Sequence, residues 1–275
     1  MIKLKRTRDR IHANFTGEKL FTKLVSLVEA RIQHGDKLEF EGTLGDWSKT
    51  KKVLKAESHG KCAYCESDTD KVAHGDVEHF RPKSIYWWLA LCVDNYNFSC
   101  QICNQTYKSD DFPVNGKILK APKLPASLPK DSALKRLISR ICPDPATVSD
   151  SVLLTKWFNE DCDLPNPYLE DPEKLFSWAV SEVNKEVHLV VPDKAKPRAK
   201  RAVKAAVNYL GLNRETLTRS RYVVYDDLQF ALFTWQEGNA KGKMRAEGQI
   251  QRMCKSDRQY AAMSRFFARE AGFPV

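Results

Sequence analysis

Two short turns constrain this chain more than anything else in it: Cys62-Ala-Tyr-Cys65 and Cys100-Gln-Ile-Cys103, with residues 66–99 between them. Zinc takes four soft ligands in a tetrahedron, and two such turns supply four thiolates. Each turn fixes two ligands, so the loop between them can be long without losing definition. A single pair is a modest signal, whereas two pairs flanking one compact segment are a strong one. A redox pair would open a helix in a thioredoxin-like setting, and the surrounding sequence offers none. The expectation is a structural Zn²⁺ on Cys62, Cys65, Cys100 and Cys103, its coordination closed by protein. Cys92, Cys142, Cys162 and Cys254 are expected as buried thiols, because a reducing cytoplasm leaves cysteines unpaired.

The chain has 275 residues, enough for one large domain or two small ones. Hydrophobic residues make up 42% and charged residues 29%, which fits a soluble globular protein. The longest apolar reading near the middle, Ile85 to Val93, is far below the ~20 residues that span a bilayer. Met1 to Arg10 is basic, but no apolar signal core follows it. A cytoplasmic protein with no membrane partner is expected. The net charge is +10 and the pI about 9.1. Such a balance points to a polyanion, most often nucleic acid, with a merely basic soluble protein as the plain alternative.

The sequence divides into three parts. Residues 1–58 read as helical: Leu20, Leu24, Leu27, Val28 and Ile32 recur at helical spacing, with Thr16 and Gly17 at the start and Gly35 at the stop. A second helix is expected from Ser48 to about Ser58. Residues 59–115 are dense in Cys, His, Asn, Trp and Tyr and have little helical periodicity. Residues 116–275 form a proline-rich connector followed by a C-terminal helical part. The connector holds a short helix near Ser132 to Ile141, and Val187, Leu189 and Val191 alternate as in a strand. Beyond it, Pro197 to Leu210 reads as a helix stopped at Gly211. Arg214 to Trp235 reads as a second helix, and Arg245 to Glu270 as a third. Lys194, Lys196, Arg198, Lys200, Arg201 and Lys204, then Arg214, Arg219 and Arg221, make a basic surface for a DNA backbone or an acidic partner.

Between the knuckles stands Asp76-Val-Glu-His-Phe-Arg-Pro-Lys83, and around the second stands Asn95-Tyr-Asn-Phe-Ser-Cys100-Gln-Ile-Cys-Asn104. This succession resembles the ββα-metal motif of the HNH endonucleases: Cys-x-x-Cys, Glu-His-x-x-Pro, then Asn five residues before Cys-x-x-Cys-Asn. The wording is closer still to the PtuB-like HNH subunits of Septu and retron-associated anti-phage systems. The resemblance covers about residues 59–115. Weaker echoes stand at Asn166-Pro-Tyr-Leu-Glu-Asp-Pro172 and Gly211-Leu-Asn-Arg214. The fold it implies is α+β, a mostly helical chain around a zinc-stabilised HNH module. The activity it implies is metal-dependent hydrolysis of DNA phosphodiesters.

By resemblance His79 is the general base, Asn95 orients the loop that presents it, and Glu78 and Asn104 hold a catalytic Mg²⁺ or Mn²⁺. The chemistry agrees in kind. An imidazole near pKa ~6.5 can take a proton from water at neutral pH, and carboxylate and amide oxygens suit a hard cation. Neighbouring strand residues point to opposite faces, so Glu78 and His79 converge only if the strand bends. Arg81, Lys83 and Lys108 are expected on phosphates. Lys108 stands four residues after Asn104, where the family's lysine stands three after. Tyr86, Trp87 and Trp88 are expected in the core, and His59 and His74 as structural or solvent-facing side chains and not ligands. The resemblance also implies an ATPase partner of the ABC or SMC-like class, since this chain has no phosphate-binding loop of its own. The competing readings are a modification-dependent restriction nuclease, an RNA-directed nuclease toxin and a non-catalytic zinc-ribbon nucleic-acid-binding module.

Overall fold

The computed structural model of the chain describes residues 1–69 and 74–275. Helices dominate, and among the described residues the sheet content is two separate two-stranded antiparallel pairs. The first part carries α1 (Gly17–His34) and α2 (Lys51–Glu57). Helix α1 begins and ends where its sequence signals place it, with Gly35 at a positive φ of 57°. Helix α2 does not start from a Ser48 cap. Residues Asp46–Thr50 form a 3₁₀ turn first, and α2 follows from it.

The cysteine-rich part holds β1 (Asp76–His79) and β2 (Tyr96–Ser99), paired from Asp76↔Ser99 to His79↔Tyr96. A π-helix, Ile102–Lys108, comes next. Then follow α3 (Asp131–Ile141), α4 (Asp150–Trp157), β3 (Ser177–Ser181) and β4 (Glu186–Val190). Helix α5 (Pro197–Leu210) has Pro197 in its first turn and stops at Gly211, whose backbone is left-handed. Helix α6 is Glu215–Glu237. The expected last helix is two, α7 (Ala240–Met253) and α8 (Ala261–Glu270), parted where Tyr260 turns to a positive φ of 53°. No helix among the described residues is long and apolar enough to cross a membrane.

The cysteine-rich part has no core to itself. Tyr64, Phe80 and Cys103 are buried with Trp178, Val187 and Leu189 and with the inner faces of α5 and α6. Tyr86, Trp87, Trp88, Tyr96 and Phe98 are buried with α1, Leu54 of α2, and residues of α3 and α4. The aromatic run 86–88 is therefore core, as expected. Two polar pins reinforce this arrangement. Arg6 donates to Glu57 at 2.7 Å and stacks 3.8 Å over the Tyr168 ring, whose hydroxyl donates to the same carboxylate. Arg81 pairs with Glu160 at 2.7 Å.

Candidate active site and metal centre

The four knuckle cysteines converge. Their sulfur atoms all lie within 4.8 Å of one another, and Cys65 Sγ is 3.9 Å from Cys100 Sγ. A tetrahedron with zinc–sulfur bonds of about 2.3 Å has edges of about 3.8 Å. The donor set fits a zinc ion. Local backbone shapes it: the Glu66 amide returns to the Cys62 carbonyl, and Ala63 donates to the Phe98 carbonyl of β2. The Cys103 amide points at Cys100 Sγ from 3.4 Å.

Tyr64, inside the first knuckle, links this frame to β1. Its hydroxyl donates to Glu78 Oε2 at 2.5 Å, and Asn97 donates to both. Burial first, then the Glu78 charge, pushes the Tyr64 hydroxyl well above the usual phenol range. It stays a donor. Lys108 completes the group, 2.7 Å from Glu78 Oε1 and donating to the His79 carbonyl at 3.1 Å.

On the other face of β1 stands His79. Its Nε2 lies 3.0 Å from the Ala90 carbonyl. A carbonyl only accepts, so Nε2 carries the proton and Nδ1 keeps the lone pair. The ring is held edge-on between Trp47 and Tyr96, each 4.9 Å away. The Tyr96 hydroxyl donates to the same Ala90 oxygen. Burial lowers the imidazole to about 3, against a smaller raising effect of the Ala90 bond. Asn95 grips the loop just after His79: its Oδ1 accepts from the Arg81 amide at 2.8 Å, and its Nδ2 donates to the Arg81 carbonyl at 2.9 Å.

His79 borders a cleft of about 120 Å³, lined also by Trp47, Val77, Pro82, Lys83, Asn104, Ser109 and Asp110. Of the expected site residues, the cleft brings together His79, Lys83 and Asn104. Others are elsewhere. Strand β1 keeps regular pairing, and the Glu78 carboxylate is taken up by Lys108, Tyr64 and Asn97 outside the lining of the cleft. The expected Glu78–Asn104 ligand pair is thus not assembled. The Asn104 amide donates instead to Asp76 Oδ2 at 3.2 Å.

Arg81 and Lys108 are not available to a phosphate either. Arg81 is 2% exposed and spent on Glu160, and Lys108 is fully buried. The π-helix explains Lys108: the Ser109 amide bonds back five residues to the Asn104 carbonyl. That wide turn absorbs the extra residue between Asn104 and the lysine. Arg214 and Arg221, read from sequence as part of a surface for DNA or an acidic partner, also turn inward, whereas Arg219 is exposed. His59 and His74 face solvent, as expected.

Trp47 and the Ala90 carbonyl are site components that sequence reasoning missed. Trp47 stands outside the motif, and a backbone acceptor leaves no mark on the sequence.

A stretch of 159 residues is 30% identical to the Septu protein PtuB of Bacillus mycoides (strain KBAB4), covering 52% of this chain and 52% of that protein. The chain is a relative of PtuB. It spans about half the length of the curated PtuB it matches. No family model matches the chain, and no solved structure does. The PtuB relationship and the four-sulfur cluster thus stand on separate observations, one of sequence and one of geometry.

Proposed function

We propose that this PtuB-like chain is the HNH-type nuclease of a Septu-class anti-phage defence system. It hydrolyses DNA phosphodiesters in the cytoplasm, with His79 as general base and an ATP-hydrolysing partner of the ABC or SMC-like class. One observation carries the catalytic part. His79 is a neutral imidazole whose tautomer is set by the Ala90 carbonyl, at the edge of a cleft shared with Lys83 and Asn104. Its free Nδ1 is the atom suited to take a proton from water. Asn95 keeps the backbone after the base in register. Lys83 is the cation placed to meet a phosphate, its Nζ 5.6 Å from the Trp47 ring centre.

Bound Mg²⁺ or Mn²⁺ would supply the charge sink for the phosphate. Asn104 offers it an amide oxygen at the cleft, whereas Glu78 as placed does not. The net charge and the exposed Lys196, Lys200 and Lys204, spaced four apart from the N-cap of α5 onward, support a nucleic-acid partner.

The test is cleavage of supercoiled plasmid by the purified chain with Mg²⁺ or Mn²⁺, with EDTA, and with His79→Ala beside wild type. If the chain is silent alone, the reaction is repeated with the partner ATPase and ATP. Divalent-dependent nicking should fall roughly 100-fold or more in the variant. DNA binding without cleavage under all conditions would instead favour a zinc-ribbon binding module.

A further inference from the structure

Arginines that turn inward in this chain come in two kinds, Arg6, Arg81 and Arg221 being buried and Arg214 half-buried. Arg6 and Arg81 each meet a carboxylate, Glu57 and Glu160. Arg214 and Arg221 do not: among the described residues, neither has a carboxylate within ion-pair distance. Arg214 Nη1 donates to Cys103 Sγ at 3.5 Å and to the Gly211 carbonyl at 3.1 Å. Arg221 is 1% exposed, donates to the Leu212 carbonyl at 2.6 Å, and lies 4.7 Å over the Trp178 ring. An unpartnered buried nitrogen is common to both kinds, Nε in Arg6, Arg214 and Arg221 and Nη1 in Arg81, so it is the missing carboxylate that sets Arg214 and Arg221 apart.

A buried cation without an anion is costly. Four thiolates around one Zn²⁺ leave a net charge of roughly −2. Two guanidiniums beside that cluster balance it.

The rest of the tetrapeptide Gly211–Arg214 serves the same junction. A side chain on Gly211 would come within 2.5 Å of the Tyr107 ring of the π-helix. Asn213 clamps β4, its Oδ1 accepting from the Leu189 amide at 2.8 Å and its Nδ2 donating to the Leu189 carbonyl at 2.9 Å.

We infer that Arg214, with Arg221 behind it, is the counter-charge of a zinc–thiolate cluster, and that the turn Gly211–Arg214 serves to carry that guanidinium to the sulfur. This rests on the zinc reading of the four cysteines. Arg214 is a positioning residue of the metal centre, not a DNA contact.

The experiment measures zinc content and zinc release to a chromogenic chelator for the full chain, comparing wild type, Arg214→Gln, Arg214→Lys and Asn213→Ala. The expected result is one zinc per wild-type chain and 10- to 100-fold weaker retention in Arg214→Gln. Arg214→Lys should hold zinc between those limits. Asn213→Ala breaks the clamp on β4 without touching sulfur and should release zinc near the wild-type rate. Wild-type retention in Arg214→Gln would overturn the inference, and so would equal losses in Arg214→Gln and Asn213→Ala. A wild-type chain without zinc would overturn the metal reading itself. Should Arg214→Gln not fold, the Arg214→Lys rate decides, with a wild-type value counting against a role for the guanidinium hydrogen bond to sulfur.

Discussion

Burial sets the protonation state of His79 before any substrate arrives. The imidazole is lowered to about 3, so it is neutral across the physiological range and its lone pair needs no titration to become available. The same shift has a cost in stability, and its sign can be worked out. An unfolded histidine titrates near 6.5. Between that value and about 3 the unfolded chain binds a proton that the folded chain refuses, so stability falls as pH falls. The contribution is complete above pH 6.5 and has lost about 2 kcal/mol by pH 5. Urea unfolding of wild type and His79→Gln at pH 7.5 and pH 5 should therefore show wild type losing more than the variant. Equal losses would mean that the ring is less enclosed than its contacts with Trp47 and Tyr96 imply. At this scale much was legible beforehand. The motif located His79, Asn95 and the four cysteines, because spacing encodes them. It could not locate the direction of a charge. Arg81, Lys108, Arg214 and Arg221 look alike as surface cations until Glu160, Glu78 and the sulfur cluster are placed around them.

Among the elements, α1 and α5 were readable because their ends carry physical signals: Gly35, Pro197 and Gly211 each do something other residues do badly. The start of α2, the division between α7 and α8, and the whole of α4 were not, since packing and not a local cap fixes them. The π-helix was visible only as a misplaced lysine. Its junction with α5 gives a sharp expectation. Gly211 adopts φ +60° and sits against Tyr107. Gly211→Ala meets both a left-handed backbone and a ring, and should cost about 1–3 kcal/mol. Trimming the ring with Tyr107→Ala should make the double variant less unstable than the two single losses added together. Strict additivity in denaturant midpoints would show that the ring is not the obstacle.

For the molecule as a whole, the cysteine cluster is part of a core shared with β3, β4, α5 and α6 and not a local staple. Removing zinc should release residues 59–115 and, through their shared core, β4 and α5. Hydrogen exchange before and after chelation should show lost protection at Ala63 and Phe80 together with Leu189 and Ala206. Protection confined to its original pattern would make the metal dispensable for the fold. The shared core also has a consequence in time. Glu160, which seats Arg81, is encoded 79 residues after it, and Arg214 follows Cys103 by 111. At about 5–20 residues per second, a ribosome that has finished the motif needs roughly five to twenty seconds more to deliver Arg214. A nascent chain carrying every residue of the cleft still lacks the partners of Arg81 and Cys103. Synthesis order thereby leaves the sulfur cluster and the Arg81 loop without these partners until the last third of the chain has emerged.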